Sequence, residues 1–184
     1  MIQLEKVNFS THKSLPSVLD IYEKSFPEDE QRSIRSIMRQ IDSNNDYNFF
    51  IVLKDDFPVG MASVWVIKQK FIYIEHLCVD EKLRSDGIGS RAMNLLKDKS
   101  PYPIIIEVEK RTEEMSDQQV ANCERRLKFY RNHGFKLSDK EYMQPAYQVG
   151  LNEVPMQLME ARGTLLDADF EGVKADLYKI VYKK

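Results

Sequence analysis

The stretch from Phe71 to Leu96 constrains the fold more than any other part of this chain. Its β-branched and aromatic residues at 71–79 predict a strand, and a charged turn follows it. A helix is predicted next by apolar residues at helical spacing, namely Ile88, Ala92, Leu95 and Leu96. Gly87 and Gly89 lie at the junction, where glycine permits a close approach of the backbone and the helix presents unpaired N–H groups. The stretch therefore predicts an anion site, and phosphate is the anion that suits it best.

The elements predicted on either side favour a mixed α/β fold. Short polar turns join strands predicted at 47–53, 61–67 and 71–79 into an antiparallel meander. A strand at 104–108 follows the helix at 88–98, and such a helical crossover makes its two strands parallel. Further strands are predicted at 2–7 and 154–159, and another begins at Phe135. Further helices are predicted at 117–133 and 169–184, and two others begin at Leu15 and at the acidic run 28–30. We expect a mostly antiparallel sheet with one parallel pair, flanking helices and a C-terminal helix.

The composition indicates one globular domain that spans residues 1–184. A chain of 184 residues with 42% apolar and 30% charged residues is long enough for a single core. Its net charge of −2 gives no general attraction to nucleic acid or to acidic membranes, so neither is an expected partner. Cys78 and Cys123 form no zinc-binding pattern, so we expect no metal and a reducing compartment. The chain shows no signal peptide and no apolar run that could span a membrane, which favours a cytoplasmic protein.

The glycine turn is open to more than one interpretation. Gly87–Ala92 fits the loose G-x-G-x-x-G/A fingerprint of dinucleotide-binding proteins, with Glu107 placed 20 residues after Gly87. Against this, seven residues (80–86) separate the strand from the first glycine, and the chain offers a single βαβ unit. A Walker A loop is excluded, because no Gly-Lys-Ser/Thr follows. A purely structural turn, in which glycine only provides a positive φ, is the third alternative.

Three segments of the chain form a set, namely 77–79, 84–90 and 129–135. The segment 84–90 is similar to the R/Q-x-x-G-x-G/A signature of the GNAT superfamily of N-acetyltransferases. Leu77-Cys78-Val79 precedes it at the spacing of the family's L-x-V-x-P-x-x-R/Q pattern, with Glu81 in place of the proline. The segment 129–135 resembles the F-Y-x-x-x-G-F ending of the family's fourth helix, and the order of elements matches over about residues 1–160. Together they favour this family over a dinucleotide-binding fold.

The resemblance implies that acetyl-CoA is the cosubstrate and lies in a V-shaped opening between the strands at 71–79 and 104–109. Its pantetheine arm would pair with the first strand like an added strand, and its pyrophosphate would accept from the N–H groups of the glycine turn. Arg84 is the side chain expected to assist. The expected binding residues are Leu77, Cys78, Val79, Arg84, Ser85, Asp86, Gly87, Ile88, Gly89 and Ser90.

Acetyl transfer to an amine needs a base for the amine and an acid for the departing thiolate. Tyr130 matches the family's tyrosine that faces the CoA sulfur and is the predicted acid, the alternative being an ordinary core tyrosine. Glu75 is the predicted base, because alternation along the strand places it on one face with Tyr73 and Leu77. His76 has the better unperturbed pKa but points to the other face unless a bulge intervenes.

Other parts of the predicted site are left open by the sequence. Glu107 and Glu109 share a face of the next strand and are alternative bases, water relays or partners of the acceptor ammonium. Cys123, next to Asn122, stands where many family members carry an Asn that contacts the pantetheine.

The acceptor is expected to be a primary amine of a small molecule or a peptide. The resemblance implies that it lies near the turn at 26–30 and the loop at 142–153. A protein that binds CoA without catalysis is the alternative function. The C-terminal helix either caps the domain or forms a homodimer contact.

Overall fold

The computed structural model describes residues 1–84 and 86–184, so Ser85 of the predicted phosphate turn lies outside the described residues. The strands are β1 (Ile2–Val7), β2 (Tyr47–Lys54), β3 (Phe57–Ile67), β4 (Phe71–Val79), β5 (Ile104–Glu109), β6 (Lys136–Leu137), β7 (Tyr142–Gln144) and β8 (Val154–Ala161). The helices are α1 (Leu15–Ser25), α2 (Ile34–Ser43), α3 (Ile88–Asp98), α4 (Asp117–Asn132) and α5 (Leu165–Asp176), and a π-helical turn (Leu177–Tyr182) continues α5.

In the part of the chain that the structure describes, eight strands form one sheet in the order β1-β2-β3-β4-β5-β8-β6, and β7 also pairs with β8. β4 and β5 run parallel to each other, and the remaining pairs are antiparallel. The parallel pair is the one that the helix α3 connects, as expected for a helical crossover. The predicted mixed α/β fold with a mostly antiparallel sheet is therefore confirmed.

The parallel pairing of β4 with β5 is short. Its register joins Ile72–Ile74 to Ile104–Ile106. Beyond these residues β4 continues along β3 as far as Val79, and β5 continues along β8 as far as Glu109. The two strands thus separate toward their C-terminal ends, which creates an opening in the middle of the sheet.

Helices cover both faces of the sheet. On one face, Tyr22 of α1 and Phe170 of α5 pack with Trp65 of β3 in the larger core cluster. On the other face, Met93 of α3 packs with Ile106 of β5. Because the central strands are buried on both faces, their sequences are almost continuously apolar rather than alternating.

Two parts of the chain differ from the predicted elements. Glu28–Glu30 does not begin the second helix but forms a separate 3₁₀ turn, and α2 begins at Ile34. The reason is Ser33, whose side chain accepts a hydrogen bond from the Ser36 N–H at 3.3 Å and caps the helix there. In the loop predicted before the last strand, β7 pairs with β8; three residues are too few for a recognisable strand pattern.

The C-terminal helix is present but begins earlier than predicted. It begins at Leu165 and changes to π-helical winding at Leu177. Its apolar residues Phe170, Val173, Leu177 and Val181 are all buried against the sheet, so this segment is part of the core. Among the described residues, no helix is both long and apolar enough to cross a lipid bilayer.

Candidate active site

A cavity of about 720 Å³ occupies the opening between β4 and β5. One side is formed by the end of β4, Leu77–Val79, and by the start of α3, Gly87–Ser90. Tyr130 of α4 forms another part of the wall. Five glutamates also line the cavity, namely Glu30, Glu75, Glu81, Glu107 and Glu109. The structure therefore brings most of the predicted site residues together in one place.

The glycine turn leaves the N-terminus of α3 open toward this cavity. Gly87 is the N-cap residue and adopts a left-handed conformation with φ 73°, which glycine reaches without strain. No side chain caps the helix there, among the residues that are described. Arg84 lines the cavity, and its Nε donates to the Val79 carbonyl at 3.4 Å. The start of α3 can thus accept an anionic group.

Other residues of the predicted binding set have different surroundings. Asp86 directs its carboxylate to Lys54, at 3.1 Å on the exposed surface. Ile88 and Cys78 are buried, and burial raises the pKa of the Cys78 thiol to about 11. Their side chains therefore pack in the core, although both residues also border the cavity.

β4 carries a bulge next to the cavity. Ser63 of β3 pairs with His76 and Val64 pairs with Ile74, so Glu75 is an extra residue in β4. Glu75 and His76 consequently point to the same face, and Leu77 packs on the opposite one. The prediction that Glu75 shares a face with Leu77 is wrong, because a bulge interrupts the period of two.

Glu75 is held by several donors. Arg32 donates to its Oε1 from Nε at 2.9 Å and from Nη2 at 2.7 Å, and Tyr147 donates to the same oxygen at 3.1 Å. Trp65 Nε1 donates to Oε2 at 2.9 Å. Burial acts to raise the pKa of Glu75, but the charge and hydrogen bonds of Arg32 outweigh it and keep this pKa below its usual value. Glu75 is therefore an ionised carboxylate whose lone pairs are already occupied.

His76 is equally enclosed. Its Nε2 lies 3.1 Å from the Glu30 carbonyl oxygen, and its Nδ1 lies 3.1 Å from Ser63 Oγ. Since a carbonyl only accepts, Nε2 carries the proton and Nδ1 accepts from the serine. Burial lowers the pKa of His76, so the ring is neutral.

Glu107 has a different environment, made of tyrosines. The Tyr182 hydroxyl lies 3.0 Å from its Oε1 and 2.8 Å from its Oε2, and the Tyr142 hydroxyl donates to Oε1. Burial raises the pKa of Glu107 to about 7, although these hydroxyl donors act in the opposite direction. Glu107 can therefore exchange a proton near neutral pH.

Glu30 and Glu109 form a second acidic group, beside α4. Arg126 pairs with Glu109 at 2.8 Å. Burial, and then the charge of Glu109, raise the pKa of Glu30 well above its usual value. Cys123 donates from Sγ to Glu109 at 3.5 Å, and burial raises the pKa of this thiol to about 11.

The sequence analysis does not single out Arg32 or Arg126 as residues of the site, and it includes Glu30 only within the turn at 26–30 that is expected near the acceptor. The acidic run at 28–30 is typical of a helix start, and nothing in the local pattern marks Arg32 as buried. Arg126 lies on the same face of α4 as Tyr130, four residues away, which is the one signal that was available.

Tyr130 lines the cavity between two aromatic rings. Its ring centroid lies 5.2 Å from that of Phe129 and 5.6 Å from that of Phe135. Burial raises the pKa of Tyr130, which keeps its hydroxyl protonated and able to donate. The position agrees with the predicted acid, and the role itself stays a prediction.

The comparisons with known proteins agree with this geometry. The family model described as acetyltransferase (GNAT) family matches residues 15–135. The solved structure of a GNAT-family protein from Bacteroides thetaiotaomicron is 30% identical, with 99% of each chain covered and a TM-score of 0.87. No curated protein sequence matches the chain.

More distant structures share the fold. A GNAT family acetyltransferase from Elizabethkingia anophelis, solved with acetyl-CoA bound, is 17% identical, with 87% of this chain and 97% of that chain covered and a TM-score of 0.56. Arabidopsis thaliana Naa50, in complex with the bisubstrate analogue CoA-Ac-MVNAL, is 19% identical, with 88% and 99% covered and a TM-score of 0.61.

Proposed function

Since the chain belongs to the acetyltransferase (GNAT) family, we propose that it transfers an acetyl group from acetyl-CoA to the primary amine of a small molecule or peptide. One observation carries the proposal, namely what lines the cavity between β4 and β5. The N-terminus of α3 and the end of β4 face it, together with the protonated hydroxyl of Tyr130 and the carboxyl of Glu107, whose pKa is about 7. The Elizabethkingia relative, which has acetyl-CoA bound, supports the choice of cosubstrate.

The chain's own residues fit this cosubstrate. The N–H groups at the start of α3 suit a pyrophosphate, and Gly87 and Gly89 leave the approach to them open. Leu77 and Val79 lie where β4 has left β5, so their backbone groups on that side suit an extended pantetheine arm. The backbone N–H groups of β4 at 77–79 are also suited to stabilise the acetyl carbonyl oxygen as it becomes negative.

Glu107 is the base in this proposal. Glu107 first takes a proton from the ammonium group of the acceptor, which frees the nitrogen lone pair to form the bond to the acetyl carbon. The second nitrogen proton is lost to the tyrosinate that remains once Tyr130 has protonated the thiolate. Its tyrosine surroundings and its pKa of about 7 support the role, because a base must be free to take up a proton at the working pH. The sequence-derived alternative, Glu75, remains a competing prediction, although its lone pairs are occupied by Arg32, Trp65 and Tyr147.

Tyr130 is the acid. It gives its proton to the CoA thiolate as the carbon–sulfur bond breaks, and the raised pKa of its hydroxyl means that this proton is present until it is needed.

The carboxyl groups of Glu30, Glu107 and Glu109 favour an acceptor that enters as a cation. The cytoplasmic location and the homodimer remain predictions.

The proposal is tested by incubating the protein with acetyl-CoA and a panel of primary amines that includes peptides with free α-amines, lysine peptides and diamines. We expect release of the free CoA thiol together with an amine whose mass has risen by one acetyl group. Tyr130→Phe should lower kcat by about 10²-fold or more without weakening acetyl-CoA binding. Tyr102→Phe is the matched control, since Tyr102 is half-buried against the same core cluster as Tyr130 but is not among the residues that line the cavity. Acetyl-CoA binding without product from any amine would instead favour the binding-only alternative.

A further inference from the structure

The C-terminal π-helical turn, Leu177–Tyr182, reaches the centre of the molecule. Leu177 and Val181 are fully buried, and Tyr182 is 4% exposed. All three belong to the core cluster that also contains Tyr73 of β4. The turn therefore ends at the cavity-lining strands, and π-helical winding, which is rare, is frequently found at functional sites.

Tyr182 connects this turn to the two strands that form the opening. Its hydroxyl lies 2.8 Å from Glu107 Oε2 on β5 and 3.1 Å from the Tyr73 hydroxyl on β4. Its ring also packs on Tyr147, with centroids 5.0 Å apart. Since the Glu107 carboxylate only accepts, Tyr182 donates to it.

The preceding residue fixes the turn from the other side. Arg32 Nη2 donates to the Val181 carbonyl at 2.9 Å, and the same guanidinium is paired with Glu75 at 2.7 Å. The backbone of the turn is thus tied to the bulge of β4 while the Tyr182 hydroxyl is tied to Glu107. This double attachment determines where the Tyr182 hydroxyl lies.

We propose that Tyr182 is a positioning residue for the acetyl-transfer base: it holds the Glu107 carboxylate toward the cavity and makes the C-terminal turn part of the active site. The inference rests on the function proposed above. The Tyr182 hydroxyl lies within hydrogen-bond distance of both carboxylate oxygens, whereas Tyr142 contacts Oε1, so Tyr182 is the donor that reaches Oε2.

The positioning has a measurable consequence for proton transfer. A hydroxyl that donates to a carboxylate favours its ionised form, so removing the Tyr182 hydroxyl should raise the pKa of Glu107 above about 7. The other titratable groups near Glu107 remain in such a variant. Tyr73 and Tyr142 are hydrogen-bonded to it, and Tyr147, Tyr178, Glu75 and Glu30 interact with it only electrostatically. The loss of one charge-assisted donor corresponds to a rise of about one pH unit.

The test compares the wild type with Tyr182→Phe over the range from about pH 5.5 to about pH 9.5. In the variant, the acidic limb of kcat/KM should move upward by about one pH unit, so activity falls about tenfold at low pH and recovers at high pH. Tyr178→Phe is the matched control, because the Tyr178 hydroxyl donates to the Met143 carbonyl instead. A uniform loss at every pH would indicate a merely structural role and overturn the inference.

A second readout does not depend on turnover. The carboxyl carbon of Glu107, isotopically labelled and assigned by its disappearance in Glu107→Gln, is titrated by NMR in the wild type and in Tyr182→Phe. We expect the midpoint to be higher in the variant. Equal midpoints in an active enzyme would overturn the role of Tyr182 and leave acetyl transfer intact. A shifted midpoint in a protein that acetylates no amine would overturn the proposed function and leave the coupling of Tyr182 to Glu107 in place.

Discussion

Glu75 and Glu107 show at the scale of single residues how surroundings determine what a carboxyl group can do. Both lie on strands that border the cavity. Glu75 faces a guanidinium, and Glu107 faces hydroxyl groups. A buried cation stabilises the ionised form so strongly that Glu75 is suited to hold structure, whereas neutral donors leave Glu107 free to titrate.

The two glutamates should therefore respond differently to the same substitution. Glu75→Gln leaves the buried Arg32 without its counter-charge and should lower the free energy of unfolding by about 3–5 kcal/mol, measured by urea denaturation. Glu107→Gln should leave stability almost unchanged and lower kcat/KM by about 10²–10⁴-fold. Glu171→Gln, on the exposed surface of α5, is the control for both measurements. A stable Glu75→Gln enzyme without turnover would instead favour Glu75 as the base.

The same contrast predicts a pH dependence of stability. The pKa of Glu75 is lower in the folded chain than its unfolded value of about 4.3. Its contribution is therefore complete above about pH 4.3 and is lost as the pH falls through the folded pKa. Unfolding measured between neutral and acidic pH should show a steeper loss for the wild type than for Glu75→Gln, and equal slopes would contradict the ion pair.

At the scale of elements, the junction of β3 with β4 places the end of β4 beside the cavity. A Cβ atom on Gly60 would lie 2.2 Å from the Cys78 carbonyl oxygen, so only glycine allows the two strands to approach this closely. The strand ends that line the cavity therefore depend on a small residue in the neighbouring strand.

Gly60→Ala should force these strands apart and lower the free energy of unfolding by about 1–3 kcal/mol, as overpacking does. The same change at Gly89 is the control, because a Cβ there meets Phe129 at an ordinary 3.7 Å. Thermal unfolding of both variants measures the difference. Equal stability would mean that the close approach of β3 and β4 is not needed.

How much of each element could be predicted depended on whether its signal is local. The strand, turn and helix at 71–98 were predictable, because apolar spacing and two glycines act within a few residues. The bulge at Glu75 was not, since it depends on how β3 and β4 pair. The contacts of Arg32 with Glu75 and of Tyr182 with Glu107 span 43 and 75 residues and leave no local pattern.

At the scale of the whole molecule, one division of the sheet organises the site. β4 continues along β3, and β5 continues along β8, so the cavity lies between two halves that are each held together by their own strand pairs. Arg32, Glu75 and the C-terminal turn connect the halves on one face, and α3 connects them on the other. An opening of this kind can admit a long, extended cosubstrate without unfolding either half.

The central claim, that this opening binds acetyl-CoA, is tested most directly by calorimetric titration with acetyl-CoA beside NAD. We expect acetyl-CoA to bind with a Kd on the order of micromolar, which is about −8 kcal/mol, and NAD to give no heat. Arg84→Glu should weaken acetyl-CoA binding, and Arg39→Glu, a charge reversal on the exposed part of α2, should not. Binding of NAD alone would contradict the account, because it would make Gly87–Ala92 a dinucleotide site.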